Sequence, residues 1–299
     1  MMETDSRSCP REQDPRDIHL DAREQEIYNS VASYIREGRF EPPPLPSVAQ
    51  EIFQACTAGA TSASQLAEIA HRDSFIAGRV LQLANSAFFS RGAAAQTLRD
   101  AIVRIGQNEL RNLVMAIVLK GRMFDVPEAG DLPTVYWQHS LASALAAGLL
   151  ASESGWAEPH RAFLAGLMHD VGKPVVLRAF VELRRESRPE LSMNDVPVIA
   201  EKLHTMAGAM VAQSWKLDEA LDEVIRLHHQ PVDAELDEKL CSLVALSDAV
   251  CSEVGVGAEA ALPGDISTHP VAVFMGLGPE TMSSGLERTL ELLARYALL

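Results

Sequence analysis

Seven residues in the second half of this 299-residue chain carry side chains suited to borderline divalent cations. They are His139, the pair His169-Asp170, His204, the pair His228-His229, and Asp248. Each falls in a segment that otherwise reads as an apolar helix. A carboxylate or imidazole there is expensive to bury unless something satisfies it. Several together point to a shared cation, and a shared cation is a centre at which hydrolysis can be organised. Mixed imidazole and carboxylate donors suit iron, manganese, zinc or nickel better than magnesium or calcium.

Taken singly, each residue also has a plain structural use. Asp248 continues the stripe Leu240, Val244 at i, i+4, i+8, so it should face the core, where it could equally cap a neighbouring helix or pair with an arginine. His169-Asp170 ends the apolar run Ala162 to Met168, and adjacent residues on a helix point about 100° apart, which lets both flank one ion. Lys173 could hold a phosphate, but a lysine just past a helix stop is ordinarily solvated. His139 is flanked by Ala142, Ser143 and Ala146, and His204 by Ala200, Ala207 and Gly208. A lone histidine on such a small-residue face is commonly a core residue bonded to a backbone carbonyl. His228-His229 could be a cationic cap on a helix C-terminus. The joint site is favoured because candidate ligands recur in five separate predicted helices.

The elements that must position these residues read as helices throughout. Hydrophobic residues make up 47% of the chain and aromatics 5%, a mixture that favours close-packed helices over sheets. After a polar stretch over residues 1–20, expected to be a mobile tail, a helix is predicted near Arg23 to Glu37, and the run Pro42 to Pro46 ends it. Ser62, Asp73 and Thr97 have the sequence context of helix N-caps, and Gly106 separates Ala101–Ile105 from Leu110–Leu119. Further on, Thr134 is expected to cap the helix carrying His139, and Pro159 to open the one ending at His169-Asp170, with Gly172 as its stop. Pro197 opens the helix of His204, Asp218 caps the next, a helix over Asp237 to Glu253 carries Asp248, and a terminal one spans Thr281 to Leu298. The break near Met123 to Pro133 is the best internal boundary.

Composition also excludes some functions. A formal charge of −15 argues against a general nucleic-acid binder, because phosphate contacts need a basic face. No apolar run reaches membrane-spanning length, and the N-terminus is not signal-like. The scattered Cys9, Cys56, Cys241 and Cys251 read as reduced thiols of a cytoplasmic protein.

The order His139, His169-Asp170, Asp248 resembles the H…HD…D ligand set of the HD superfamily of metal-dependent phosphohydrolases, and His204 with His228-His229 resembles the positions that give HD-GYP phosphodiesterases a second metal. The chain resembles still more closely the HDOD domain, an HD-related regulatory domain of bacteria, over roughly Pro43 to Val254. The likeness is carried by Leu45-Pro46, Asp73 with Arg79 to Phe88, Leu98 to Gly106, Leu110 to Val114, Ala165 to Lys173, Glu201 with His204 and Ala207-Gly208, Trp215 and His228-His229. It implies an all-α multi-helix bundle with an N-terminal helical subdomain, and a signalling role. Against the usual HDOD pattern, this chain keeps every candidate ligand. Against HD-GYP, it reads Gln230-Pro231-Val232-Asp233 after the histidine pair, with no Gly-Tyr-Pro.

Two functions follow from the resemblance. One is a cytoplasmic signal-transduction module acting on signalling proteins in trans, with the half from Pro43 to about Val126 facing the partner and a divalent metal in the HD half. The other is a metal-dependent phosphohydrolase acting on a nucleotide or cyclic dinucleotide. There, His139, His169, Asp170 and Asp248 would hold one ion, and His204, His228 and His229 would help hold a second, bridged by Asp170. Asp170 and Lys173 would serve catalysis. The expected layout is a tail over 1–20, a helix over 21–42, the HDOD N-terminal half over 43–130, the HD-like half over 131–256, and a helical extension over 257–299. No nucleic acid or membrane is expected as partner, and oligomeric state is left open.

Overall fold

The computed structural model describes residues 18–59, 61–86, 89, 92–186, 188, 190–253, 255, 256, 266–278, 280, 285, 287–289 and 291. The expected tail falls almost wholly outside these residues, as does much of the expected terminal helix. The described residues form thirteen α-helices and no strand. They make an all-α fold that divides into two compact units, meeting in sequence at Pro42/Pro43 and Asp125/Val126.

The larger unit begins with α1 (Ala22–Arg36), opened by Asp21 in a reciprocal capping box with Glu24. Its Ile27, Val31, Ala32 and Ile35 are buried on one face, as the periodicity predicts. Salt bridges tie α1 to distant parts of the unit. Arg23 donates to both carboxylate oxygens of Asp195 at 2.7 Å, and Arg188 pairs with Glu26 at 2.9 Å.

The smaller unit holds α2 (Ser47–Ala58), α3 (Ala63–Ala70), α4 (Ser74–Ala84), α5 (Leu98–Ile105) and α6 (Gln107–Val118), followed by a wide π turn at Leu119–Met123. The predicted caps form. Asp73 accepts from the Phe75 and Ile76 amides at 2.9 and 3.1 Å, and Thr97 from that of Asp100 at 3.1 Å. Gly106 stands between α5 and α6 at φ 85°, a left-handed conformation that disfavours any side chain. Asn85 clamps the chain after α4 by bonding the Ala95 amide at 2.7 Å and the Ala95 carbonyl at 3.0 Å.

The site belongs to the larger unit, in α7 (Leu132–Ser154), α8 (Pro159–Met168), α9 (Gly172–Glu186), α10 (Val196–Trp215), α11 (Glu219–Leu227) and α12 (Glu238–Glu253); a short α13 (Pro270–Met275) follows. α7 packs along α8, and α12 lies against both; α9 pairs with α10, while α11 contacts α8, α10 and α12. Three glycines let these backbones approach. A Cβ on Gly166 would stand 2.7 Å from the Ser143 carbonyl oxygen of α7. One on Gly172 would stand 1.8 Å from the carbonyl oxygen of His204, and one on Gly208 2.6 Å from Ile225.

Three expectations change here. Gly172 does not stop a helix; it starts α9, and its missing side chain is where the α10 backbone crosses. α9 itself was not foreseen, although Val175, Val176, Ala179, Phe180 and Leu183 lie buried at helical spacing. Thr134 is not the cap of α7, which starts two residues earlier with Pro133 in its first turn, a position proline's fixed φ suits.

The crossing at α9 makes a direct prediction. Gly172→Ala should destabilise the protein by about 1–3 kcal/mol or more, the cost of overpacking a close contact. Gly78→Ala, in α4 with nothing within 4 Å of the added carbon, should stabilise it by about 0.5–1 kcal/mol. Urea unfolding of both variants checks the pair, and equal effects would contradict the crossing.

Candidate metal centre

Asp170 sits at the middle of the convergent side chains, 2% exposed, just past the end of α8. Its Oδ2 faces His139 Nε2 and His169 Nε2, each at 3.4 Å. Its Oδ1 faces His204 Nε2 at 3.5 Å and His228 Nε2 at 3.8 Å. Asp248, reaching in from α12, places Oδ1 3.0 Å from His139 Nε2 and 4.0 Å from His169 Nε2. His229 lies with Nε2 3.0 Å from that of His204. All seven sequence-predicted ligands are therefore brought together, drawn from α7, the α8–α9 junction, α10, the end of α11 and α12.

The histidine tautomers follow from the backbone. His139 Nδ1 lies 3.1 Å from the Val256 carbonyl, His169 Nδ1 2.7 Å from that of Gly166, His204 Nδ1 2.7 Å from that of Glu201, and His228 Nδ1 3.1 Å from that of Val224. A carbonyl can only accept, so each Nδ1 carries a proton and each Nε2 is turned inward, bare where the ring is neutral and, at His139, open to a cation once the second proton is displaced. Carbonyl bonds of this kind fix the orientation of metal-binding imidazoles. The 3.3 Å approach of His204 Nε2 to His228 Nε2 is then lone pair against lone pair, not a hydrogen bond between neutral rings. His229 differs, since its Nε2 is able to donate to His204.

Within the site, His169 Nε2 and Asp170 Oδ1 are buried without a hydrogen-bond partner, whereas Asp170 Oδ2 lies 2.8 Å from Lys173 Nζ and His139 Nε2 lies 3.0 Å from Asp248 Oδ1. Two donors each about 2.1 Å from one cation stand about 3.0–3.4 Å apart, which matches the spacing around Asp170 and Asp248. The residues thus fit one divalent ion among His139, His169, Asp170 and Asp248, and the remaining histidines with Asp170 Oδ1 offer a second position. Thiolates do not enter: burial pushes Cys251 up to about 12.

The electrostatics of the ion-free site follow from burial and charge. Burial pulls His139 down, but the hydrogen-bonding and charge of Asp248, aided by Asp170, outweigh it and raise the imidazole to about 9. Burial acts against ionisation of Asp170 as well, yet Lys173, His169 and His204 hold it well below the carboxylate range. Asp248 is also lowered, against its burial, chiefly by His139. His228 is pushed down to about 3, mainly by burial and then by His169 and His204. The histidine pair is therefore neutral and largely buried, and the cationic-cap reading of it does not hold.

Lys173 is not solvated. It is 8% exposed and reaches Asp170 Oδ2 at 2.8 Å and Glu201 Oε2 at 3.1 Å. The α9 start places it there because that helix begins one residue earlier, at the glycine crossing. Glu201 is a site residue that the sequence presents only within the family motif, not among the candidate ligands. It also lies 3.7 Å from His229, and its spacing of three residues before His204 was the available signal. A cavity of about 40 Å³ opens on this side, lined by His139, Lys173, Glu201, Tyr136 and Val256 among others.

The HDOD domain family model matches residues 43–231, and the chain belongs to the HDOD family. Asp248 lies beyond the matched segment. The chain is 25% identical over 242 residues to an uncharacterised protein of Treponema pallidum (strain Nichols), covering 78% of this chain and 46% of that relative, so it spans about half of the relative's length. Among solved structures it is similar to a presumed metal-dependent phosphohydrolase of Shewanella amazonensis SB2B (TM-score 0.73, 19% identity, 92% of this chain and 100% of the other). It is similar also to an HDOD domain protein of unknown function from Geobacter sulfurreducens (0.69, 22%, 91% and 97%). A third is a presumed signal transduction protein of Marinobacter aquaeolei VT8 (0.70, 22%, 94% and 66%). At these identities the likeness is one of fold. Among the described residues no helix is long and apolar enough to cross a membrane.

Because His139 holds its proton up to about pH 9 without an ion, a cation taking its Nε2 must expel that proton. Protonation weakens as pH rises, so apparent affinity for an added divalent ion should climb about tenfold per unit between pH 7 and 9 and then level off. Calorimetric titrations in buffers of different ionisation enthalpy should record release of about one proton at pH 7. His139→Ala should flatten this dependence; a wild-type affinity independent of pH would contradict it.

Proposed function

We propose that this chain is a regulatory HDOD module that binds divalent metal in its larger unit and acts on signalling proteins in trans through its smaller one. The observation that carries the metal reading is the set of four Nδ1-anchored histidines turning their Nε2 atoms toward Asp170. First-row ions such as iron, manganese, zinc or nickel suit these donors. His139, His169, Asp170 and Asp248 would hold one ion; His204, His228 and His229 would help hold a second, with Asp170 between.

The space beside the centre favours regulation over turnover of a large substrate. Ligand pockets for small organic molecules run from about 300 Å³ upward, whereas the cavity at Lys173 and Glu201 is about 40 Å³. On the smaller unit, Phe75 and Val103 expose apolar side chains, 55% and 66% accessible, which suits a partner-facing surface.

A phosphohydrolase is the second reading, and Lys173 is the observation that favours it. A buried ammonium beside the Asp170 carboxylate is placed to stabilise negative charge developing on a phosphoryl group. Bound ions would supply an activated water in such a reaction. The chain's own groups would position it: Asp170 from between the two imidazole sets, Lys173 and Glu201 from the cavity side.

Elemental analysis of protein purified without chelator tests the metal reading directly. Wild type should carry at least one equivalent of a first-row metal, and His169→Ala less than a tenth of that. Removing the ion should lower the melting temperature by about 5–10 °C, as expected for about 2.7 kcal/mol of linkage in a chain this size. Unchanged metal content in His169→Ala would sink the reading. Turnover of bis(p-nitrophenyl) phosphate that disappears in Asp170→Asn would replace the regulatory module with the hydrolase.

A further inference from the structure

The four imidazoles that face Asp170 are not anchored alike. His169 Nδ1 bonds the carbonyl of Gly166, His204 that of Glu201 and His228 that of Val224, each three or four residues earlier in the chain. Wherever those helices form, those anchors come with them. His139 is the exception. Its Nδ1 partner is the carbonyl of Val256, 117 residues away in sequence and just past the end of α12. The same helix supplies Asp248, whose Oδ1 lies 3.0 Å from His139 Nε2. Both nitrogens of this ring are therefore held from α12, one by a side chain on it and one by the backbone just beyond it.

A helix ending places the Val256 carbonyl. Gly255 stands at φ 69°; its amide bonds the Ser252 carbonyl at 3.2 Å, and the Val256 amide bonds that of Cys251 at 3.0 Å. This pair of bonds is the Schellman ending, in which a left-handed residue turns the chain back across the last turn of a helix. Taken alone, it is a helix stop and nothing more. The turn also delivers Val256 to the cavity wall beside His139, Lys173 and Glu201. A carbon added at Gly255 would meet nothing within 4 Å, so its backbone angle, not a lack of space, is what calls for glycine there.

We propose that Gly255 is a positioning residue for the metal centre: its left-handed turn aims the Val256 carbonyl at His139 and so holds that ring's Nε2 toward the ion position shared with His169, Asp170 and Asp248. A cation that takes Nε2 ends the bond between Nε2 and Asp248, and the Val256 carbonyl is then the bond that orients the ring. Losing a partner of this kind lowers metal affinity by about 10- to 100-fold. The proposal rests on the metal reading for the ion, but not for the orientation of the ring. It also ties the centre to a turn outside residues 43–231, the segment that the family model matches.

Two measurements on the metal-free full chain test it together: cobalt(II) titration read by visible absorption, and proton–nitrogen NMR of the histidine rings. Before any metal is added, wild type should show a slowly exchanging His139 Nδ1–H resonance, identified by its loss in His139→Ala. Gly255→Pro, which cannot take a positive φ, should lose that resonance and bind cobalt about tenfold or more weakly, with unchanged circular dichroism. Gly255→Asn, which enters the left-handed region readily, should recover the resonance and bring affinity to within about threefold of wild type. If the proline variant does not fold, Gly255→Val, β-branched and unsuited to a left-handed angle, carries the same expectation. In a His139→Ala background, Gly255→Pro should change the remaining affinity by less than about twofold, since the turn has no ring left to hold. An unchanged resonance or unchanged cobalt affinity in Gly255→Pro overturns the proposal. So does a further tenfold loss in the His139→Ala background, which would mark a general loosening of α12. Wild type that binds no cobalt while the resonance behaves as described would instead sink the metal reading and leave the anchor of the ring standing.

Discussion

The architecture of the larger unit turns on one carboxylate. Asp170 is almost fully buried and presents each oxygen to a different pair of imidazoles, one pair from α7 and the α8 end, the other from α10 and the end of α11. Taking a carboxylate out of water costs several kcal/mol even after the protein relaxes, and Asp248 adds a second, less buried one. Lys173 supplies one full positive charge, and protonated His139 supplies another in the ion-free state. That balances two carboxylates, but Glu201 adds a third. A divalent cation in place of the His139 proton would meet both the charge and the inward-facing Nε2 atoms.

Such a centre demands that five pieces of backbone arrive together, and glycine is how the sequence meets that demand. Gly166 admits α7, and Gly172 and Gly208 bring α9 and α10 to backbone contact. The second crossing bears directly on the chemistry. The same His204 carbonyl that would collide with a Cβ on Gly172 belongs to the residue whose Nε2 faces Asp170. Lys173 is the next residue after that contact. Backbone closeness and the position of the ammonium are thus one feature, and a side chain at residue 172 would move both.

Much of this was legible beforehand because helices leave periodic traces. The all-α class, the caps at Ser62, Asp73, Thr97 and Asp218, and the gathering of ligand-type residues in apolar helices follow from local spacing. The missed features depend on non-local contact. Gly172 looks like a stop signal because glycine commonly ends helices, and only the crossing of α10 reveals it as a start. Lys173 looks solvated for the same reason. Glu201 stands in the sequence only as part of the family motif, and its burial against Lys173 becomes visible once α9 is placed beside α10.

The histidines show why plain and functional readings of a residue need not compete. A core histidine bonded to a backbone carbonyl and a metal ligand were set against each other for His139 and His204, yet the structure uses a different nitrogen for each. The Nδ1–H bond to a carbonyl satisfies the fold, and it leaves Nε2 as the nitrogen that a cation can take. In four rings the structural bond thereby sets which nitrogen faces the site: without it, neutral rings could turn Nε2–H groups on Asp170 and satisfy it with no ion at all. The carbonyls of Val256, Gly166, Glu201 and Val224 are therefore as much a part of the centre as the side chains that face it.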